Sequence, residues 1–159
     1  MRWSLLNVIS YRTMKKSLLS ILFLLIVSTI KAQTSDSLHL NGYNTFYFPS
    51  GKIQSEGYLS NGKPVGNWKT YFESGKLKSN GNRKNGQPDS TWNFYYENGV
   101  VQTTIDYSNG KKNYQKEFNT TGVLISSELY TDGIKNGLAS YFYDSGKKKK
   151  SIPFINGKK

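Results

Sequence analysis

Side chains that could carry out chemistry are few in this chain, and they do not form a recognised catalytic arrangement. The 159 residues include one histidine, His39, and no cysteine. Without cysteine the chain has no disulfide, no thiolate nucleophile and no cysteine-ligated zinc. A Ser/His/Asp triad or a histidine metal site would depend on His39 alone, which precedes the patterned part of the sequence. We therefore expect an exposed histidine, and a protein that is not an enzyme and uses no metal or cofactor.

Three acidic residues, Glu73, Glu97 and Asp144, recur at equivalent positions of a repeated pattern. In a sheet, neighbouring members would lie about 10 Å apart, near the ~6.5–9.5 Å between the two carboxyl groups of an inverting glycosidase. Each acid, however, stands two residues before a glycine, where acids are ordinary turn residues. No pattern indicates a pocket that would raise one pKa, so we interpret all three as turn residues.

Two series of glycines define the repeated pattern. Successive members of each series are separated by 24, 24, 23 and 24 residues. The first series is Gly51, Gly75, Gly99, Gly122 and Gly146, and the second is Gly62, Gly86, Gly110, Gly133 and Gly157. A fixed period of this length is typical of repeat proteins. Stacked repeats usually present surfaces to partners and do not enclose a reaction chamber.

The segments around these glycines predict β-hairpins. The second series lies in Asn-Gly or Asp-Gly pairs, which favour type I′ turns because both central residues of that turn have φ > 0. Aromatic-rich runs of strand length occupy residues 43–48, 68–72, 92–96, 114–118 and 138–143; more polar return runs occupy 53–59, 77–83, 101–107 and 124–130, and a tenth strand starts at 152. We predict an all-β fold, an elongated single-layer antiparallel meander of about five hairpin repeats over residues 41–159.

The fourth repeat departs from this pattern. It is one residue shorter than the others, and Gln115 stands where the second and third repeats have Trp68 and Trp92. We expect a kink, a bulge or a weak point in the sheet there.

Aromatic residues recur in register with the glycines, and five of them are candidates for partner contact: Trp68, Tyr71, Trp92, Tyr95 and Phe142. Large rings at such spacing either pack as the core of the sheet or form an exposed strip that binds a protein or glycan. A single-layer sheet cannot bury both faces, so each interpretation can hold for some of them. We expect a protein partner that binds one aromatic sheet face.

The net charge of +12 comes mainly from the two ends of the chain. Residues 1–32 have five basic residues, residues 147–159 have six, and neither segment has an acidic one; the stretch between has 11 basic and 10 acidic residues. This balanced repeat region argues against a nucleic-acid partner. The C-terminal lysines either bind an anionic membrane or envelope polymer or form a solvated group that protects the sheet edge. They are Lys147, Lys148, Lys149, Lys150, Lys158 and Lys159.

The N-terminal region predicts export. Residues 14–32 have a basic start, a short apolar run and a small residue, Ala32, at the expected cleavage site, the features of a secretory signal peptide. The apolar run is shorter than the ~20 residues of a spanning helix, which makes a retained membrane anchor the weaker alternative. Residues 1–13 fit poorly before such a signal, and we interpret them as a misassigned start upstream of Met14. Residues 33–40 form a polar lead segment, and we expect a periplasmic, secreted or cell-surface protein.

The segment Gly66-Asn-Trp68-Lys-Thr-Tyr71-Phe72-Glu-Ser-Gly75-Lys-Leu77, followed by Asn85-Gly86, resembles the MORN-type repeat. It is closest to the bacterial MORN variant of the YwqK-family antitoxin group, and the resemblance covers about residues 41–159 in five copies. The resemblance implies a meander of β-hairpins that serves as a scaffold or as a protein- or lipid-binding module. The antitoxin group further implies neutralisation of a partner protein. We therefore expect an exported, non-enzymatic binding or scaffold protein, with a cell-envelope or lipid-surface protein that uses the C-terminal lysines as the alternative.

Overall fold

A computed structural model describes residues 39–159, which form one open antiparallel β-sheet. The predicted start, signal peptide and most of the lead segment fall within residues 1–38, outside the described residues. The strands are β1 Gly42–Tyr47, β2 Ile53–Ser60, β3 Lys63–Tyr71, β4 Leu77–Lys84, β5 Gln87–Tyr95, β6 Val101–Ser108, β7 Lys111–Phe118, β8 Leu124–Thr131, β9 Ile134–Lys135, β10 Gly137–Phe142 and β11 Lys148–Phe154. No helix in residues 39–159 is long and apolar enough to cross a membrane.

Each strand pairs with the strand before it, except that β10 pairs with β8, so the predicted all-β antiparallel meander is confirmed. Both β9 and β10 pair with β8, and together they correspond to one predicted strand. The aromatic strands begin earlier than predicted: β3 begins at Lys63, directly after the turn, where the sequence predicted residue 68. The tight turn leaves no room for a loop, and pairing with β2 therefore starts at once.

Two turn types alternate along the sheet. At the Asn-Gly and Asp-Gly tips both residues have positive φ, as in Asn61 (49°) and Gly62 (72°), which confirms the predicted type I′ turns. At the other edge the loops have three residues. In the first of these, the Phe48 amide donates to the Lys52 carbonyl (2.8 Å), and only Gly51 has positive φ. The two glycine series therefore lie on opposite edges of the sheet.

A β-bulge interrupts β3, β5 and β7 soon after the turn that precedes each strand, so the bulge expected in the fourth repeat is present, and the second and third repeats have bulges as well. Between Val65 and Trp68, β3 has two residues with no partner in β2, and β5 has two at the equivalent place. In β7 only Asn113 is unpaired. The missing residue of the fourth repeat was therefore lost from this bulge, and the strand pairing on either side is kept.

Strand register assigns side chains to two faces, because directly paired residues lie on the same side of a sheet and successive residues alternate. We call one side the tryptophan face; its central row contains Asn44, Gly57, Trp68, Gly81, Trp92, Ile105, Gln115, Glu128, Ala139 and Ile152. We call the other side the tyrosine face; it carries Tyr43, Tyr47, Ile53, Glu56, Tyr58, Tyr71, Asn80, Tyr95, Leu129, Ile134, Leu138 and Phe142.

Candidate partner-binding surface

The first half of the tryptophan face is a packed aromatic cluster. Trp68 and Trp92 are only 7% and 4% exposed, although the sheet has a single layer. Each ring lies flat over a glycine of the preceding strand: a Cβ at Gly57 would be 2.3 Å from the Trp68 ring, and one at Gly81 would be 2.3 Å from the Trp92 ring. The absence of a side chain at these glycines therefore creates the space that the rings fill. Further contacts come from Phe46, Leu59, Phe94 and Tyr107.

Arg83 covers the Trp92 ring of this cluster on its outer side. Its guanidinium carbon lies 5.0 Å from the centre of the Trp92 ring, and its Nη1 donates to the Gly86 carbonyl (2.8 Å). Burial lowers the pKa of Arg83 from its ordinary value. The indole Nε1 of Trp92 donates to the Asn82 carbonyl (2.7 Å), so the polar atom of the ring is also satisfied. The aromatic half therefore behaves as a core.

The second half of the tryptophan face is polar. Gln115 takes the place of the tryptophans, and its side chain accepts a hydrogen bond from Lys112 Nζ (2.6 Å) and donates one to Glu117 (2.6 Å). The second carboxylate oxygen of Glu117 accepts from Ser126 Oγ (3.0 Å). Lys112 Nζ also lies 4.9 Å from the centre of the Tyr130 ring. These contacts join β7 to β8 by side chains as well as by backbone pairing.

Glu128 is the centre of this polar half. Its carboxylate accepts hydrogen bonds from Tyr130 (2.6 Å) and Tyr141 (3.1 Å) and forms a 2.7 Å ion pair with Lys135. Burial raises the pKa of Glu128, but the hydrogen bonds from Lys135, Tyr130 and Tyr141 outweigh burial and hold the pKa below its ordinary value. Burial and the bond to Glu128 raise the pKa of Tyr130. A carboxylate held ionised in this way cannot serve as a general acid near neutral pH.

The tyrosine face carries the exposed apolar surface. Seven large hydrophobic strand residues are between 39% and 56% exposed, and all of them lie on this face. They form one group on the first two strands and another around β8 to β10: Tyr43, Tyr47, Ile53 and Tyr58, and Leu129, Ile134 and Leu138. Tyr43 and Tyr58 form an edge-on pair with ring centres 5.1 Å apart.

Hydrogen bonds orient the tyrosines in the middle of this face. The Tyr71 hydroxyl donates to Glu56, and the Tyr95 hydroxyl donates to Asn80 Oδ1 (3.1 Å), one repeat further on. Burial and the bond to Glu56 raise the pKa of Tyr71 to about 12. Burial and Glu56 also raise the pKa of Tyr43. Tyr71 is therefore a neutral donor with a fixed orientation over the ordinary pH range.

The comparison with protein families finds four repeats in this sheet. A family model described as the MORN repeat variant matches residues 40–63, 64–85, 88–109 and 135–156, which is more than half of the chain. The chain belongs to the MORN repeat variant family. The unmatched segment 110–134 contains Gln115, Glu117 and Glu128, so the repeat that departs from the family pattern is the one that carries the polar half. A search of curated proteins found no match.

MORN repeats are generally protein- or membrane-binding modules, and the chain is consistent with a repeat module of that kind. The structure places the five aromatic candidates on two different faces. Tyr71 is three residues beyond Trp68 in the same strand, and an odd separation places the two side chains on opposite faces. Trp92 and Tyr95 are related in the same way, and Phe142 lies on the tyrosine face. A role for any of the five in partner contact stays a prediction.

The C-terminal lysines of this MORN chain do not form one cluster. Lys147 to Lys150 are exposed at the start of the edge strand β11, whereas Lys158 and Lys159 follow the last turn at its other end. The last four residues of β11 and the final turn lie between the two groups, which places them on the order of 15 Å apart. Lys149 and Lys150 lie over the rings of Tyr143 (5.3 Å) and Tyr141 (5.4 Å).

The residues first considered for catalysis are dispersed among the MORN repeats. His39 is exposed, and the Asn44 side chain bonds both its backbone amide (3.1 Å) and its carbonyl (2.9 Å). Glu73, Glu97 and Asp144 are exposed in the three-residue loops, as the turn interpretation requires. Within residues 39–159, no group of three or more potential ligands is placed to hold a metal ion.

Sequence reasoning missed the exposed apolar residues of the tyrosine face. Tyr58, Leu129 and Leu138 lie in runs read as polar or as core, and none of them repeats at the 24-residue period. The sequence did contain a usable signal. Once a tryptophan is assigned to the packed face, alternation places residues that are one or three positions away in the same strand on the opposite face. The missing information was the pairing register of two strands across a bulge. The unpaired residues of the bulge change which residues of the two strands lie opposite each other.

Proposed function

We propose that this chain is an exported, non-enzymatic binding module that holds a protein partner on its tyrosine face. The observation that carries the proposal is the segregation of exposed apolar strand residues to that face, while the tryptophan face carries an aromatic core and a hydrogen-bonded polar network. Exposed apolar groups that include tyrosines are typical anchors of protein interfaces.

The face also has polar groups suited to a protein surface. Tyr71 and Tyr95 are fixed by Glu56 and Asn80, so their rings are pre-oriented and lose little rotational freedom on binding. Lys69 pairs with Glu56 and Asn80 across the strands, which adds a charged group beside the rings. A mixture of rings, amides and balanced charge favours a protein over an anionic polymer.

The test uses Tyr58→Ser, with Tyr143→Ser as its matched control. Both tyrosines are about half exposed, but Tyr143 lies in a loop and outside the seven-residue set. A partner is first captured on the immobilised chain from envelope and medium fractions, then purified, and its affinity for each variant is measured by calorimetry. We expect Tyr58→Ser to weaken binding at least about tenfold, because hot-spot residues contribute more than about 1.4 kcal/mol.

Tyr143→Ser is expected to leave the affinity unchanged. Leu138→Ser tests the second apolar group in the same assay, and thermal unfolding verifies that each variant remains folded. Equal affinities for the wild type, Tyr58→Ser and Leu138→Ser would exclude the tyrosine face as the binding surface.

Export and neutralisation are the more specific parts of the proposal. A basic start, a short apolar run and Ala32 support export; a chain recovered outside the cytoplasm that begins near Gln33 is the expected result, and an intact N-terminus at Met1 contradicts it. The resemblance to the YwqK-family antitoxin group supports neutralisation. A captured partner should therefore lose its activity in a stoichiometric complex.

The second candidate function is attachment to an anionic envelope surface. Its support is the exposed Lys147–Lys150 group on the edge strand. Replacement of these four lysines by glutamine should abolish binding to vesicles that contain anionic lipid, whereas Lys158→Gln with Lys159→Gln should reduce it little. The binding must also weaken as salt increases; salt-insensitive binding would contradict an electrostatic attachment.

A further inference from the structure

The Asn-Gly tips are not equivalent. Three of the tip glycines donate their backbone N–H to a carbonyl at the beginning of the preceding repeat: Gly62 to Leu40 (2.8 Å), Gly86 to Pro64 (2.9 Å) and Gly157 to Lys135 (2.8 Å). These hydrogen bonds tie each tip to its neighbour and oppose its opening.

The tip at Asn109 and Gly110 lacks this tether. No acceptor within residues 39–159 forms a hydrogen bond with the Gly110 amide. A small cavity of about 130 Å³ lies beside the tip, lined by Lys84, Asn85, Gln87, Pro88, Asp89, Asn109 and Gly110. This hairpin joins β6 to β7, where the bulge has one unpaired residue in place of two. The Gln87 side chain lies against Gly110, where a Cβ would be 2.3 Å from Gln87 Oε1, but no hydrogen bond of the glycine amide ties this tip to the preceding repeat.

An asparagine followed by glycine can react with its own backbone. The glycine amide nitrogen attacks the side-chain carbonyl carbon of asparagine, a C–N bond forms, and ammonia leaves with the proton that the amide gives up. The product is a cyclic imide. Water then opens either C–N bond of the ring to give aspartate or isoaspartate. Ring closure needs a backbone geometry that a type I′ turn does not provide, so the tip must open before the attack.

We propose that Asn109 is a site of spontaneous deamidation, and that it reacts ahead of Asn61, Asn85 and Asn156 because its tip has no hydrogen bond to break. The reaction adds a negative charge near Lys84 and Lys111 on the tip edge. Isoaspartate also adds a carbon to the backbone, which the two-residue turn between Ser108 and Lys111 cannot accommodate without loss of pairing. The modification thus acts on the edge of the repeat that the family model does not match.

The chain contains its own matched control. Asn61 and Asn109 lie in the same tetrapeptide, Ser-Asn-Gly-Lys, at residues 60–63 and 108–111. Their intrinsic reactivity is therefore equal, and a difference in rate reports the fold. One tethering hydrogen bond corresponds to about 1 kcal/mol, so we expect Asn109 to react about fivefold faster than Asn61 in the folded chain.

The experiment incubates the purified chain at neutral pH and follows both peptides by mass spectrometry, with isoaspartate separated from aspartate by chromatography. In concentrated urea the two rates should become equal, because the tether is absent from the unfolded chain. Equal rates in the folded protein, or faster reaction at Asn61, would overturn the proposal. An Asn109→Gln chain should lose the early product and keep the slow reaction at Asn61.

Discussion

The two halves of the tryptophan face use the same backbone row for opposite chemistry. In β3 and β5, Trp68 and Trp92 cover Gly57 and Gly81 and form a core. In β7 and β8, the row continues as Gln115 and Glu128, and a network of hydrogen bonds covers this part of the face in place of aromatic rings. The difference depends on the preceding strand: Ile105, which pairs with Gln115, has a side chain where the earlier repeats have glycine. In this single-layer sheet the side chains of one repeat are therefore buried by those of its neighbours. Whether a position of the central row is aromatic or polar depends on the residue that pairs with it in the preceding strand.

The largest effect is expected from removal of a tryptophan. Trp92→Ala removes the ring that covers Gly81 and that supports Phe94 and Arg83. Large-to-small changes at buried aromatic residues lower the free energy of unfolding by about 3–5 kcal/mol. Urea denaturation followed by circular dichroism measures the loss. A stability within about 0.5 kcal/mol of the wild type would show that the aromatic half is not a core.

Gly81→Ala should be destabilising for the complementary reason. The added methyl group would stand 2.3 Å from the Trp92 ring, so the ring must move. We expect a loss of about 1–3 kcal/mol, the usual magnitude for overpacking. In the Trp92→Ala background the same change should be neutral or slightly stabilising, because alanine is favoured over glycine in a strand. Equal losses in both backgrounds, measured as a double-mutant cycle, would contradict the contact.

Placing tryptophan at position 115, as in the second and third repeats, should destabilise the protein, because the paired residue of the preceding strand is Ile105 and not glycine. Gln115→Trp places a ring against Ile105 and also removes the amide that bridges Lys112 and Glu117. We expect a loss of about 1–3 kcal/mol. Adding Ile105→Gly should recover part of it, because the ring can then lie over the backbone as in the earlier repeats. If Gln115→Trp alone is stabilising in urea, the dependence on the preceding strand is refuted.

The sequence predicted the parts of this fold that local chemistry determines. The Asn-Gly and Asp-Gly pairs of the second glycine series favour positive φ, so the hairpin tips and the predicted ten-strand meander followed from single residues and their spacing. The face on which each side chain lies could not be predicted, because it depends on the strand register across bulges such as the one between Val65 and Trp68. The polar network was beyond prediction for another reason. Lys112, Glu128 and Tyr141 come from separate strands, and each is unremarkable in its own segment.

Removing the charge of Glu128 tests the polar half. Glu128→Gln loses the ion pair with Lys135 and weakens the bonds from Tyr130 and Tyr141, and we expect a loss of about 1–3 kcal/mol at neutral pH. The folded-state pKa of Glu128 is depressed, so its stabilisation is complete above its ordinary value of 4.5 and disappears as the pH falls through the folded value. Unfolding curves from pH about 7 to about 3 should therefore converge for the wild type and the variant. A constant difference would mean that the charge is not the cause.

The smallest effect on stability is expected at the exposed ion pair of Lys111 and Asp132, which contrasts with the more buried pair of Lys135 and Glu128. Lys111 and Asp132 lie as close together (2.8 Å) as Lys135 and Glu128 (2.7 Å), but both side chains are mostly exposed. Lys111 lowers the pKa of Asp132, yet exposed pairs are screened by water and salt and contribute little to stability. Lys111→Met should therefore leave the urea midpoint unchanged, whereas Lys135→Met should lower it. Because both pairs join a lysine to a carboxylate at nearly the same distance, equal losses for the two variants would show that burial does not distinguish the two ion pairs.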